Sequence, residues 1–261
     1  MKIRQLIKAL ICSASLAAAI PTFAGGVIAP PSSQCHIYVS GFVGGFFPKI
    51  KDFTNTSGTF SDDIIPINPE NHTVITGRNV VSGGGALGTM YDLSQDTQVG
   101  LELSYTAITQ KPSRVATTSD VVGITPDLET ETAHVITSQL DIAAKIAVKL
   151  SQTVSLYAKL GTSKAHLKTT TFLDLNSFPV SPPSFQTKDI WGVLAGIGIQ
   201  KAFSSVWSIF TEYDYYNYGS TNLAQINRGA LTNQVFQATA NHYIHLSAHT
   251  IRLGVTASFA V

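Results

Sequence analysis

The segment Trp191–Gly219, WGVLAGIGIQKAFSSVWSIFTEYDYYNYG, decides the fold of this chain of 261 residues. In its first half the odd positions are apolar and most of the intervening positions are glycine. After Ser204 and Ser205, apolar residues again alternate with small or charged ones. An alternation with a period of two places each set on one face of a β-strand. The segment therefore predicts a β-hairpin with a turn around Ser204.

The apolar face of this hairpin has aromatic residues near its ends, whereas the other face is small or charged. A soluble sheet buries its apolar face, but the wall of a transmembrane barrel turns that face to lipid and carries aromatic girdles at both interfaces. The predicted girdle consists of Tyr105, Trp191, Trp207, Tyr213 and Tyr215. The neighbouring Tyr216 and Tyr218 are assigned to the same belt at the outer end of the strand. A carbohydrate or receptor contact is the alternative for these tyrosines.

The N-terminus has the pattern of a secretory signal peptide. Lys2, Arg4 and Lys8 precede an uncharged apolar run at residues 9–20, and we predict cleavage after Ala24. A transmembrane helix is the alternative, but the run is shorter than the roughly 20 residues that a spanning helix needs. The predicted domains are a signal peptide at 1–24, a periplasmic tail at 25–35 and a barrel at 36–261.

The charge of the mature chain argues against nucleic acid as a partner. Removal of the leader takes away three of the 17 basic residues and none of the 16 acidic ones, which leaves a net charge of −2. Nucleic-acid-binding proteins present a strongly basic face instead. Charged residues make up only 13% of the chain, as suits a wall between lipid and a narrow interior.

Period-two patterns predict an all-β fold, an eight-stranded antiparallel up-and-down transmembrane barrel. The hairpin supplies two strands, and the other six are predicted at 36–47, 79–91, 97–108, 133–150, 153–167 and 244–259. Pro48 is expected to end the first strand, and Ile136 is assigned to the outward face of the fourth.

Long loops are predicted at about 48–78, 109–132, 168–188 and 220–243. Outer-membrane barrels keep termini and short turns periplasmic and long loops outside. A soluble lipocalin-like barrel is the alternative, but it would place its apolar residues inside.

The same alternation assigns eight charged residues to the barrel interior, which eight strands leave just wide enough for side chains. Charges removed from water must pair, so we predict two interior ion networks, one of them joining Glu212 to Arg252. The predicted interior set is Glu102, Asp141, Lys145, Lys149, Lys159, Glu212, Asp214 and Arg252. A structural plug is the first interpretation of this set, and a narrow ion or small-solute channel is the alternative.

No catalytic, cofactor or metal site is predicted. His245 and Ser247 have the His-x-Ser spacing of a lipid A deacylase, but no acidic residue follows them to complete a triad. His242, His245 and His249 allow a metal or haem-like ligand, although such residues also occur simply at membrane interfaces. Cys35 is the only cysteine after the leader, so it is either an idle thiol or the site of a disulfide between two copies.

The hairpin and the closing HTIRLGVTASF at residues 249–259 together resemble the OmpA-like, OmpX-like and opacity-type surface-antigen barrels of Gram-negative bacteria. In that family a Gly-rich strand, a short polar turn and an acidic-aromatic strand precede a final strand that ends on an aromatic residue. This chain departs from the pattern, because Ala260 and Val261 follow Phe259.

The resemblance implies a location in the bacterial outer membrane. It also implies contact with lipid and lipopolysaccharide, and a monomeric, non-enzymatic barrel whose external loops mediate adhesion or other surface interaction with host or surface ligands.

Overall fold

Eight antiparallel β-strands close into a barrel in the computed structural model, which describes residues 35–60, 63–65, 72–76, 79–109, 113–119, 128–175, 178–179, 184–231 and 234–261. Each strand pairs with the next along the chain, and the last pairs with the first. The strands are β1 Cys35–Phe60, β2 Val80–Asp92, β3 Thr97–Ile108, β4 Leu128–Lys149, β5 Val154–Leu175, β6 Ser184–Ala202, β7 Trp207–Leu231 and β8 Gln234–Ala260. The predicted fold class is confirmed.

Some predictions fall on parts of the chain outside these ranges. The predicted signal peptide at 1–24 and most of the tail at 25–35 lie outside the described residues. Within them, no helix is long and apolar enough to cross a membrane.

The three short turns between strands are built in the same way. They join β2 to β3, β4 to β5 and β6 to β7, at residues 93–96, 150–153 and 203–206. The second residue of each turn is a serine, whose hydroxyl oxygen accepts hydrogen bonds from two backbone N–H groups at 2.9 to 3.3 Å. Serine hydroxyls favour turns for this reason. All three turns lie where the sequence predicts them.

The outward face of the barrel is apolar, as the alternation predicts. Its large exposed side chains include Val39, Val43, Leu101, Leu103, Ile142, Ile146, Leu156, Leu160, Val193, Ile197, Ile209, Ile251, Leu253 and Val255. The residues that alternate with this outward set point inward, and most of them are buried. This is the inverse of a soluble lipocalin-like barrel and the arrangement of a transmembrane barrel.

Several strands continue well past the predicted boundaries. β1 runs on to Phe60, β5 to Leu175 and β8 back to Gln234, through segments predicted as loops. Short strands at Asp63–Ile65, His72–Thr76, Ser113–Ser119 and Phe178–Pro179 add to this end of the sheet. The apolar alternation ends where the lipid-facing band ends, whereas backbone pairing continues beyond it. The sequence pattern therefore marks the band, not the ends of the strands.

Pro48 lies within β1 and does not end it. On the β8 side it is paired with Ala248. On the other side, β1 changes its partner from β2 to the short strand His72–Thr76 between the pairs made by Phe46 and Ile50. Among the described residues none pairs with residues 47–49 on that side. Proline is tolerated in a sheet at such interruptions, because it cannot donate a ladder hydrogen bond.

Two register shifts correct the assigned faces of the strands. A shift in β4 between Ile136 and Ser138 turns Ile136 inward, where it is fully buried, so its outward assignment is wrong. A second shift in β7 lies between Asn217 and Gly219, where Gly219 has a φ of 66°. That left-handed conformation favours glycine. One extra residue in a strand reverses the alternation beyond it.

A large apolar cluster fills the interior at the end of the barrel away from the short turns. Its larger members are Phe46, Ile50, Ile108, Ile136, Leu167, Ile190, Leu194, Tyr216, Tyr218, Leu223, Ile244 and Leu246. Tyr216 and Tyr218 belong to this cluster, so their assignment to the outer belt is wrong: they continue the inward series of Glu212 and Asp214. Closer to the short turns, the interior becomes polar.

Candidate functional site in the barrel interior

Seven buried charged side chains form one ion network in the interior. Three are cations and four are carboxylates, which gives the network a net charge of −1. Its members are Glu102, Asp141, Lys145, Lys159, Glu212, Asp214 and Arg252. The alternation places each of them on the inward face, so the network crosses the barrel between β3, β4, β5, β7 and β8.

Lys159 is the centre of the half of the network nearer the short turns. Its Nζ lies 2.7 Å from Oε1 of Glu212, 3.2 Å from Oδ1 of Asp214 and 3.4 Å from Oε1 of Glu102. Gly196 on β6 makes room for these contacts. A Cβ at that position would lie 2.1 Å from Oδ1 of Asp214 and within 3.0 Å of the Lys159 side chain.

Arg252 is the centre of the other half. Its guanidinium lies 3.2 Å from Oδ2 of Asp214, 3.5 Å from Oε1 of Glu212 and 3.5 Å from Oδ2 of Asp141. Glu212 and Arg252 are also direct cross-strand partners on β7 and β8. Because Lys159 and Arg252 share Glu212 and Asp214, the structure contains one continuous network instead of the two predicted.

Hydroxyl groups add hydrogen bonds to the carboxylates of the network. Tyr38 donates to Oε2 of Glu102 at 2.7 Å, and Tyr157 donates to Oε2 of Glu212 at 3.1 Å. Tyr216 donates to Oδ2 of Asp141 at 3.1 Å. Asp141 also accepts a hydrogen bond from Ser104, and Asp214 accepts one from Thr250. Hydrogen bonds of this kind offset part of the cost of burying charge.

Aromatic rings cover the cations of the network. The Nζ of Lys145 lies 3.9 Å from the ring centroid of Tyr157 and 5.0 Å from that of Tyr38. The guanidinium of Arg252 lies 4.6 Å from the ring centroid of Phe42. At these distances a desolvated cation is attracted by the ring. Tyr38 is not among the predicted interior residues, because the inward positions in this part of β1 include no carboxylate, lysine or arginine to mark them.

Little free space remains around the network. Beside it lies a cavity of about 10 Å³, lined by Phe42, Phe210, Tyr157, Glu212 and Arg252 among others. A cavity of this size holds about one water molecule.

One residue of the predicted interior set does not join the network. Lys149 lies on the inward face at the end of β4 next to the short turn, where it is only half-buried. It makes no ion pair with any described residue. The strand end there is open to water, which solvates the ammonium group.

The predicted girdle residues all lie on the outward face. Tyr105, Trp191, Trp207, Tyr213 and Tyr215 are exposed. Trp207 directly follows a short turn, and Trp191 is eleven residue steps from the end of β6 at Ala202. Those steps span about 36 Å along a strand, or about 25–30 Å along the axis at the usual tilt, which matches the apolar band of outer-membrane barrels.

The other predicted positions do not form a reactive site. His245 is exposed, and its Nδ1 lies 3.3 Å from Oγ of Ser220. His249 contacts the hydroxyl of Tyr213 at 2.6 Å. Within the described ranges, no group of three or more His, Cys, Asp or Glu side chains is arranged to hold a metal ion, and the side chain of His242 lies outside them. Cys35 is a half-buried free cysteine at the start of β1.

A second ionic group lies on the outward surface beyond Trp191. Asp189 accepts from Nζ of Lys164 at 2.6 Å and is 2.8 Å from Nδ1 of His166. The hydrogen bonds from Lys164 and His166 hold the pKa of the Asp189 carboxyl below its ordinary value. This cluster is therefore neutralised locally by its own carboxylate.

The fold and its interior define a class of protein, the transmembrane β-barrels with a lipid-facing apolar wall and a side-chain-filled lumen. The chain belongs to the outer membrane protein beta-barrel domain family, whose model matches residues 10–259. It is located in the bacterial outer membrane.

Individual proteins are similar to this chain over most or all of its length. A Coxiella burnetii (strain RSA 493 / Nine Mile phase I) protein described as uncharacterized is 29% identical over 268 residues, which cover 100% of this chain and 98% of the relative. Ail, the attachment invasion locus protein of Yersinia pestis, is 13% identical to this chain, and its structure matches with a TM-score of 0.38. The match covers 85% of this chain and 98% of that chain. OprG from Pseudomonas aeruginosa is 16% identical with a TM-score of 0.38, and the match covers 84% of this chain and 95% of that chain.

Proposed function

We propose that the protein is a non-enzymatic surface protein of the outer membrane. Its barrel is a closed scaffold, and the connections at the end away from the short turns mediate adhesion or other surface interaction. The observation that carries the proposal is the filled interior: an ion network and an apolar cluster occupy the lumen, and the cavity beside the network measures about 10 Å³. With the interior filled, the outer surface of the scaffold carries the function.

An ion that entered the barrel would meet two obstacles in series. It would first have to displace the partners of Lys159 and Arg252, which are themselves buried carboxylates. It would then have to cross the apolar cluster around Phe46, Leu194 and Leu246 without water. Moving an unpaired charge into such surroundings is strongly unfavourable. These two layers support a scaffold over the alternative, a narrow ion or small-solute channel.

The proposed orientation follows from the signal-peptide pattern and the family architecture. The signal peptide at 1–24 directs export, the tail at 25–35 and the short turns face the periplasm, and the longer connections face outward. The barrel acts as a monomer within lipid and lipopolysaccharide. Cys35 lies at the periplasmic end in this orientation, where a disulfide with a second copy would form outside the barrel wall.

Cells that display the protein are expected to bind a host-cell monolayer or extracellular matrix better than cells without it. Replacing residues 120–127 with a Gly-Ser linker of equal length is expected to remove a large part of that binding, because loops of such scaffolds carry recognition. Adhesion counts would measure the effect. Unchanged adhesion of the linker variants of all outer connections would contradict the proposal.

A second experiment tests the proposed orientation with a protease recognition site inserted at one of two places, each the control for the other. When protease is added to intact cells, we expect it to cleave a site inserted within 120–127. A site inserted after Gln152 is expected to stay uncleaved until the outer membrane is permeabilised. Heat-modifiable mobility on a gel verifies that each variant is folded. Cleavage after Gln152 in intact cells would overturn the proposed orientation.

A further inference from the structure

Three rows of outward-facing residues cross β1, β8 and β7 at the edge of the apolar band. Each row consists of direct cross-strand neighbours, whose Cβ atoms lie about 4.5–5.5 Å apart. From the band outward, the rows are Phe47–His249–Tyr215, Lys49–Ser247–Asn217 and Lys51–His245–Ser220. The first row is aromatic, and the next two are basic or carry hydroxyl and amide groups.

These three rows have an unbalanced positive charge. Lys49 and Lys51 are exposed, and neither makes an ion pair with any described residue. None of the nine residues is acidic. His245 lies beside Lys51 and contacts the hydroxyl of Ser220. The surface therefore offers two ammonium groups without an ion pair among the described residues, and several neutral hydrogen-bonding groups.

The opposite rim and the neighbouring strands differ from this surface. On β5 and β6, Lys164 and His166 lie at a similar distance beyond the band, but Asp189 is paired with both. Lys168, further along β5, instead lies over the ring of Phe185, with its Nζ 5.1 Å from the ring centroid. At the end with the short turns, Lys201 is an exposed outward-facing lysine. The β1–β8–β7 surface thus combines an aromatic rim with two lysines that have no carboxylate partner in the part of the chain that the structure describes.

The position of the rows relative to the band indicates what covers them. Tyr and Trp rings lie at the level of lipid headgroups in membrane proteins. One row further into the band, Ile251 lies beside Tyr213 of the girdle, and in the next row Val43 lies beside Leu253; the side chains of Val43, Ile251 and Leu253 are apolar and exposed on the outward face. A ligand that reached both regions would have hydrocarbon tails and an anionic head at the level of Lys49.

We propose that the outward surface of β1, β8 and β7 around Lys49, Lys51 and His245 binds the phosphorylated headgroup of a lipid in the surrounding outer leaflet. The lysines bind the phosphate oxygens, and Ser220 and Asn217 supply further hydrogen bonds. The aromatic row packs against the upper part of the acyl chains. This inference rests on the outer-membrane location and on the proposed orientation, and it is independent of the proposed adhesion.

Binding of bis-phosphorylated lipid A to the full-length mature barrel in neutral detergent micelles tests the proposal, with native mass spectrometry as the readout. We expect Lys49→Gln and Lys51→Gln each to weaken binding roughly fivefold, as for other lysines near an anionic lipid surface. Lys201→Gln removes the same charge at the other rim and is expected to leave the affinity within about twofold. Equal losses in all three variants would overturn the proposal.

Dephosphorylated lipid A separates the headgroup from the acyl chains. We expect it to bind the wild-type barrel at least tenfold more weakly than the bis-phosphorylated form and to be insensitive to both lysine changes. If the lysine changes weakened both lipids equally, the phosphate would not be what the surface recognises. Lysine-dependent binding of a soluble sulfated polysaccharide, without lysine-dependent lipid A binding, would also contradict the proposal.

Discussion

Replacing Arg252 with alanine is expected to lower the free energy of unfolding by about 3–5 kcal/mol, the usual cost of removing one partner from a buried ion pair. Asp141, Glu212 and Asp214 lie within 3.2 to 3.5 Å of the guanidinium and would lose its charge together. Lys159 would still compensate Glu212 and Asp214, but Asp141 would keep only neutral hydrogen-bond donors. The interior net charge would fall from −1 to −2.

Equilibrium urea unfolding of refolded barrel in detergent, followed by tryptophan fluorescence, measures this change. Lys201→Ala is the matched control, because it removes one exposed cation from the outward face of β6. Its effect is expected to stay within about 0.5 kcal/mol, as for other surface substitutions. An Arg252→Ala protein with unchanged unfolding and an unchanged heat-stable folded band would contradict the network.

Replacing Lys159 with methionine is expected to have an effect of similar size, about 3–5 kcal/mol. The ammonium group contacts three carboxylates, and its shortest distance, 2.7 Å to Glu212, is also the shortest ion pair of the network. Methionine retains most of the aliphatic volume beside Gly196, so the decrease in the free energy of unfolding measures the effect of removing the charge. Urea unfolding again measures it.

A second substitution tests whether this loss is electrostatic. The double variant Lys159→Met with Glu212→Gln restores the interior net charge to −1, so we expect it to be more stable than Lys159→Met alone by about 1–2 kcal/mol, within the range of couplings between contacting residues. Additive destabilisation in the double variant would mean that packing, not charge, dominates at Lys159. That result would remove the basis for treating the network as one unit.

The alternation of side chains carried most of the fold prediction. In the lipid-facing band a single register satisfies both an apolar outside and a polar inside, so Leu101, Leu103 and Ile142 define the outward face without ambiguity. The serine at the second position of each short turn adds a local signal. Strand number, antiparallel order and the cross-strand partnership of Glu212 with Arg252 follow from these two features.

The region beyond the band could not be predicted in the same way. There the interior is itself apolar, and Ile136 and Tyr216 pack inward in the apolar cluster. Apolar side chains therefore no longer identify the outward face. One-residue shifts near Ile136 and Gly219 also reverse the alternation locally. A period-two pattern has no means of showing such a shift before the strand pairing is known.

The connections within the ion network could likewise not be predicted from the sequence. Alternation assigns a side chain to the interior but gives no distances across the lumen, and Lys159 reaches Asp214 on a strand that is not its neighbour. The missing Cβ of Gly196, on the strand between them, permits this contact. Two networks were therefore predicted where the structure joins them into one.

Planar-bilayer recording on the refolded wild-type barrel in 1 M KCl tests the closed scaffold most directly. The expected result is a stable bilayer with no stepwise conductance, because the buried pairs of Lys159 and Arg252 and the apolar cluster leave no continuous aqueous path. Stepwise conductance from the wild-type protein that disappears in Lys145→Met or Glu212→Gln would contradict the scaffold and establish the interior as a channel.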